Sequence, residues 1–299
     1  MRFTMFGMAL VVGLFGVCLT ALLVENDDEP ETTEPEVSPQ PGETGEDLIY
    51  TGEDTITGTD GNDTLRADNE DHTADSASVI DLLGGDDIAE VTTPFNTTVN
   101  GGDGNDTLTS TAVGNTLNGE DGDDVINAGP ATQVFGGLGN DTITYDLTGE
   151  LNDTFATLDA GEGDDDITVT TSISETIPDT ASVGITGGEG ADNIRAVLNL
   201  GADTFSEGDP DAIETQSGIV ITDFTPGEDT LTIEIDREAG SEARDMLSVE
   251  LVTTGSGETL STELVMIFAG NETEPQVTTS IRLGAATDIT LDDIVFVQN

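Results

Sequence analysis

Residues 136–144 read GGLGNDTIT, and residues 101–109 read GGDGNDTLT. Glycines, an acid and one large apolar residue recur in the same order. The stretch has almost no side chain that can pack, so its repetition needs a reason other than packing. Self-similarity of this kind takes precedence over other fold signals. Further copies of G-G-x-G-x-D-x-U, where U is a large apolar residue, fall at 58–65 (GTDGNDTL), 119–126 (GEDGDDVI), 160–167 (AGEGDDDI) and 187–194 (GGEGADNI). A degenerate copy, DLLGGDDI, occupies 81–88, and half-copies stand at 45–49, 52–56, 201–205 and 227–231.

Residues 101–144 divide into pieces of nine, with one piece of eight, AGPATQVF. Their apolar positions are Leu108, Leu117, Ile126, Phe135 and Ile143. No helix has that period. It fits a coil with one short strand and one turn per nonapeptide, each strand pointing one apolar side chain inward. Two nonapeptides then make one full turn, with a loop on each edge. The sixth position reads Asp106, Asn115, Asp124, Gln133, Asp141. The carboxylates therefore stack on one edge and the amides on the other. In the degenerate copy the same count assigns Asp86 to the sixth position.

Strands in one sheet lie roughly 4.8 Å apart, and partly buried carboxylates at that spacing repel one another. A hard cation between them turns repulsion into coordination. The glycines let the loop curl so that carbonyl oxygens face the same centre. An all-oxygen donor set suits calcium; magnesium prefers a tighter octahedron and more water. Zinc and copper favour His or Cys, and beyond the N-terminal segment only His72 is offered.

These nonapeptides resemble the RTX, or haemolysin-type, calcium-binding repeats over about residues 45–206. The resemblance implies a right-handed parallel β-roll with calcium held between consecutive loops on one edge. Its ligands would be the repeat aspartates and loop carbonyls. Carried onto this chain, it implies metal-site residues Asp63, Asp86, Gly101, Gly102, Gly104, Asp106, Gly119, Gly122, Asp124, Gly136, Gly137, Gly139, Asp141, Gly163, Asp165, Gly187, Gly188, Gly190 and Asp192. The best sites lie between Asp106 and Asp124 and between Asp124 and Asp141. Weaker ones link Asp141 to Asp165 and Asp165 to Asp192. The chain departs from a tight tandem array because one edge is largely neutral, so roughly three to six ions are expected. Asp103 and Asp121, at the third position, read as solvated charge. The N-D-T sequons read as a by-product of the repeat.

Composition supports a cationic ligand. The chain has 62 acidic residues against six basic ones, all arginine, for a net charge of -56. Such a chain repels itself when compact, and it disfavours nucleic acid and anionic membrane surfaces as partners. One cysteine, Cys18, excludes an intramolecular disulfide. Residues 3–24 form an uncharged apolar run behind Arg2, long enough to span a bilayer. It reads as an uncleaved anchor helix or, alternatively, a cleaved signal peptide. Both place the acidic bulk outside the cell or on its surface. Residues 25–46, rich in proline and acid, read as a disordered linker.

The expected organisation is therefore a signal or anchor (1–24), a linker (25–46), an all-β roll (47–206) and a β-rich cap (207–299) that covers the open end of the solenoid. The segment ITDFTPGEDTLTIEI (221–235) resembles the stretch after the repeats in secreted RTX proteins, and Asp223 and Asp229 in it suit either a further ion or an ordinary β-turn. The ending LDDIVFVQN resembles the tail of proteins exported by type I secretion, whereas the apolar N-terminus points to general export. Catalytic motifs do not emerge. There is no H-E-x-x-H, nucleophile elbow or Walker loop, and His72 lies in a polar insert. The expected function is calcium binding by an exported roll that folds on calcium, not enzymatic activity, with an unidentified surface or matrix partner. The alternatives are an adhesive surface protein stiffened by calcium, or an enzyme with an unrecognised site in 207–299.

Overall fold

The computed structural model describes residues 45, 47–49, 55–67, 78–92, 96–147, 155–173, 182–200, 213–214, 218–237, 246–255, 261–269, 277–284 and 288–298. They all belong to one compact unit, residues 38–299. The apolar segment 3–24, nearly all of the acidic linker, His72 and the half-copy at 201–205 lie outside the described residues.

Short strands dominate because each nonapeptide alternates an apolar residue with Thr, Asn or Asp and then turns at glycine. The coil opens with β1 (Asp47–Ile49), β2 (Thr55–Thr57), β3 (Thr64–Ala67), β4 (Ser78–Asp81) and β5 (Ile88–Val91). It continues through β6 (Thr97–Asp103), β7 (Thr107–Ser110), β8 (Thr116–Asp121), β9 (Val125–Ala128), β10 (Gln133–Leu138) and β11 (Thr142–Asp146). Four eight-residue strands come next: β12 (Phe155–Glu162), β13 (Asp166–Ile173), β14 (Ser182–Glu189) and β15 (Asn193–Leu200). The C-terminal strands are β16 (Ile213–Glu214), β17 (Ile219–Ile221), β18 (Thr230–Arg237), β19 (Met246–Thr254), β20 (Ser261–Phe268), β21 (Val277–Arg282) and β22 (Ile294–Gln298).

Up to β15, successive strands alternate between two sheets. One sheet runs β1-β3-β5-β7-β9-β11-β13-β15-β18-β22, and every neighbouring pair is parallel. The other runs β2-β4-β6-β8-β10-β12-β14-β17-β21-β20-β19 and is parallel as far as β21. This is a parallel β-roll. Each coil adds one apolar rung per sheet. In the first sheet Leu65, Ala89, Leu108, Ile126, Ile143, Ile167, Ile194, Leu231 and Ile294 stand in register. In the second, Ile80, Val99, Leu117, Val134, Leu158, Ile185 and Ile221 do so. Nearly all of these side chains are fully buried. A stack that removes every rung from water stabilises the coil by roughly 1.5–3 kcal/mol per large aliphatic side chain.

One expected rung differs. Val134 fills the core, while Phe135 lies on the outer face with 36% of its surface exposed. Register is set by the distance to the next loop: Leu117 stands two residues before Gly119, and Val134 two before Gly136. Counting forward through the eight-residue piece slips by one, and a one-residue slip exchanges the faces of a strand. By the same shift, buried Thr132 rather than Gln133 takes the place equivalent to Asn115, since Gln133 pairs with Thr116.

The parallel ladder also runs past residue 206. The half-copy at 227–231 places Leu231 in register with Ile194, and β22 adds Ile294 beyond it. An antiparallel turn of chain, β19-β20-β21, closes the second sheet with Leu264, Met266, Phe268 and Ile281 buried.

Candidate metal centre

On one edge of the roll the glycine-rich loops bring a column of aspartates together. The backbone N–H of each donates to Oδ1 of the aspartate one coil further along. The column runs Asp63, Asp87, Asp106, Asp124, Asp141, Asp165, Asp192, Asp229, at N···O distances of 2.6–3.1 Å. From Asp63 to Asp192 these residues are at most 2% exposed. Their second oxygens are the unusual feature. Oδ2 of Asp87, Asp106, Asp124, Asp141 and Asp165 is buried with no hydrogen-bond partner. A buried carboxylate oxygen left bare is costly, and five in one column define a site that needs something from outside the chain.

The first glycine of each loop shapes the space beside that oxygen. A methyl group on Gly119 would collide with both Asp124 Oδ2 and the Gly136 carbonyl of the next coil. On Gly101 it would collide with Asp106 Oδ2 and the Gly119 carbonyl, and on Gly136 with Asp141 Oδ2 and the Ala160 carbonyl. Gly187 abuts Asp192 Oδ2 in the same way. At each of the first three positions a carboxylate oxygen and a carbonyl oxygen therefore converge on one point. Gly102, Gly137 and Gly188 stand second in their loops; Gly104, Gly122, Gly139, Gly163 and Gly190 stand fourth. All of these have positive φ. At Gly122 (φ 143°) a side chain would strike the Gly104 carbonyl of the preceding coil, so only glycine fits.

Asp86 does not belong to this column. It is exposed, and Asp87 takes the buried place. The degenerate copy is shifted by one residue: its inward rung is Ala89, two after Asp87, while Ile88 is 51% exposed. Alanine is too small to mark the rung in the sequence. Asp86 instead joins a second, exposed column at the fifth loop position. There Oδ1 of Asn62, Asp86, Asn105, Asp123, Asn140 and Asp164 each accepts the N–H of the next coil at 2.7–3.1 Å. The two columns point in opposite directions along the roll, and Asn alternates with Asp in the outer one. Asp87→Asn is accordingly expected to weaken calcium binding several-fold and Asp86→Asn to leave it nearly unchanged, read from calcium titrations of each variant. Equal shifts would contradict the register.

The sequence offered Asp229 either to a further ion or to an ordinary β-turn; in the structure it continues the inner column, accepting the Asp192 N–H. Asp229 Oδ2 accepts from Thr225 N–H, and Asp223 accepts from the N–H groups of Gly187 and Gly188. At the other end Asp63 is satisfied by the backbone N–H and hydroxyl of Thr59. Among the described residues the column thus meets neutral donors at both ends and is bare in its middle. The third-position residues Asp103 and Asp121 are exposed.

On the opposite edge, Asn115 and its neighbours satisfy one another. Asn115 Oδ1 accepts Thr97 N–H, its Nδ2 donates to Ser110 Oγ, and the Ser110 and Thr132 hydroxyls donate to the Ala112 carbonyl. An amide nitrogen there sits on the geometry that the acidic edge fills with a bare oxygen.

Burial, more than mutual repulsion, disfavours the charged form of the column. It pushes Asp106 and Asp141 up to about 7 and Asp87, Asp124 and Asp192 up to about 6; Asp165 is raised as well. Neighbouring aspartates add to the rise in each case, while the backbone N–H bond opposes it. Folded values above the unfolded one mean that the calcium-free coil binds more protons than the unfolded chain. Its stability is then greatest below about pH 4 and falls as pH rises through 6–7. Acidifying calcium-free protein from pH 8 to pH 5 is expected to increase its β-sheet signal, and the calcium midpoint is expected to rise over the same interval as protons compete. A pH-independent midpoint would count against ionised ligands.

Among the described residues no three His, Cys, Asp or Glu side chains converge on a point. The donors are carboxylate oxygens supplemented by backbone carbonyls, the mixture from which calcium assembles about six to eight oxygen ligands. The chain matches the family model of the RTX calcium-binding nonapeptide repeat (4 copies) at residues 42–65, 49–71, 92–112, 100–130 and 133–146. The chain carries RTX calcium-binding nonapeptide repeats. The matched residues end at 146, yet the loops at 160–165 and 187–192 continue the same aspartate column and glycine geometry. RTX repeats bind calcium, and the bare oxygens of this column fit that ion. No curated protein matches the chain.

One RTX loop departs from the pattern in a testable way. Glu120 takes the second-glycine position with φ 79°. Its carboxyl is raised by burial and then by Asp81, Asp121 and Asp103. Glu120→Gly removes the left-handed strain of a non-glycine residue and is expected to stabilise the roll by about 1 kcal/mol, seen as a higher urea midpoint. A lower midpoint would show that the Glu120 side chain contributes something to the folded state.

Proposed function

We propose that the chain is an exported calcium-binding protein whose roll folds when it meets calcium outside the cell, and that it is displayed at, or released from, the cell surface. The observation that carries this reading is the column of five buried, bare carboxylate oxygens on a single edge. Calcium would be held by Oδ2 of Asp87, Asp106, Asp124, Asp141 and Asp165, with Asp192 at the end of the row, and by first-position carbonyls such as those of Gly119 and Gly136. The bound ion supplies positive charge to the column. The glycines keep the loop backbone close enough for carbonyls to reach it, and the Oδ1 hydrogen bonds hold each carboxylate in place.

A net charge of -56 opposes compaction until cations arrive. Arg2, the apolar run 3–24 and the acidic linker support export, by anchor or by cleaved signal. A second reading, an adhesive stalk that calcium stiffens, is favoured by the long unbroken ladder of parallel strands. No catalytic role is proposed. Fractionation of producing cells, with protease treatment of intact cells in calcium and in chelator, tests the reading. The expected result is surface or medium location, with cleavage in chelator and resistance in calcium. A chain confined to the cytoplasm would contradict it.

A further inference from the structure

The chain contains two Asn-Gly steps, Asn100–Gly101 and Asn118–Gly119. The fold sets them side by side. Asn100 of β6 pairs in register with Asn118 of β8, and Asn118 Nδ2 donates to Asn100 Oδ1 at 2.6 Å. Both glycines open acidic loops, where they abut Asp106 Oδ2 and Asp124 Oδ2. The two amides therefore border the best candidate calcium sites.

An Asn-Gly step carries its own reactant. The glycine nitrogen, unshielded by any side chain on its residue, attacks the asparagine Cγ. A C–N bond forms, the Cγ–Nδ2 bond breaks, and ammonia leaves with the proton from the glycine nitrogen. Water then opens the five-membered imide at either carbonyl, giving aspartate or a β-linked isoaspartate. Nothing besides water is consumed. Inside the roll both asparagines lie in extended strands paired on each side, and the Asn118 amide is engaged, so ring closure requires the coil to open.

We propose that Asn100–Gly101 and Asn118–Gly119 form a paired self-modification site that calcium-driven folding closes. This rests on the reading that calcium folds the roll. Conversion has two consequences. Carboxylates at 100 and 118 face each other and Asp81, which pairs with residue 100, and like charges directly opposite destabilise a sheet. An isoaspartate adds a backbone atom ahead of Gly119 and displaces it from Asp124 Oδ2. Chains that wait unfolded lose their calcium response irreversibly, while folded chains keep it.

The test incubates the full chain at pH 8 in calcium, in chelator, and in chelator with urea. Peptide mass mapping follows amide-to-acid conversion at both steps, and circular dichroism is recorded in parallel. Conversion in calcium is expected to be at least about tenfold slower than in the other two samples, because it must pass through the opened state. The variant N100D/N118D is expected to need several-fold more calcium to fold. Equal rates in calcium and urea, with the calcium sample folded, would overturn the proposal, as would an unchanged calcium midpoint for N100D/N118D. Slow conversion in chelator with the dichroism still β-rich would instead remove the calcium-folding reading, and the gating with it.

Discussion

Transferring the chain from millimolar calcium into chelator is expected to abolish most of its β-sheet circular dichroism. The column of Asp87, Asp106, Asp124, Asp141 and Asp165 then keeps five buried oxygens with neither ion nor hydrogen-bond donor. Extracellular calcium modules bind with dissociation constants of about 10⁻⁴ to 10⁻³ M. At about ten times that constant each independent site contributes roughly 1.4 kcal/mol. About five sites give roughly 7 kcal/mol, comparable to the whole stability of an ordinary domain. Magnesium at the same concentration should not substitute, since it resists dehydration and demands a tighter octahedron. A spectrum that stays β-rich in chelator would show that the column is stable as protonated acid or solvated turn.

The second large effect is expected at Asp124. It accepts the Asp106 N–H through Oδ1, and its bare Oδ2 lies between the two best candidate sites. Asp124→Ala leaves that buried N–H without an acceptor, at about 1–3 kcal/mol, and removes a ligand from two sites worth roughly 1.4 kcal/mol each. The total is about 4–6 kcal/mol of stability in calcium, measured as a urea midpoint. Asp63→Ala should cost less, because Thr59 already bonds both carboxylate oxygens of Asp63 and leaves neither bare for an ion. Equal losses would contradict a stacked edge whose middle, and not its end, holds the ions.

The coil and its acidic edge were legible because both rest on spacing. Glycines at fixed intervals before Asp106, Asp124 and Asp141 set the loops, and Leu108, Ile126 and Ile143 set the rungs. What spacing hid was register wherever a rung is small or a piece is short. Ala89 hardly signals burial, so Asp86 was counted in place of Asp87. The eight-residue piece pushed the count from Val134 to Phe135. The outer Asn/Asp column was invisible for another reason. Its residues are exposed and chemically ordinary, and only backbone geometry shows that their side chains staple one coil to the next. The half-copy at 227–231 marked Asp229 and Leu231 but not that the roll continues through them, because a half-copy does not fix the register that the backbone pairing keeps there.

The most direct test of a calcium-filled inner column is an anomalous difference map from crystals grown in calcium. The account predicts peaks at about 2.3–2.6 Å from Oδ2 of Asp106, Asp124 and Asp141 and from neighbouring loop carbonyls. Peaks confined to the outer residues Asp86, Asp123 and Asp164, with the inner oxygens bonded only to water, would contradict it.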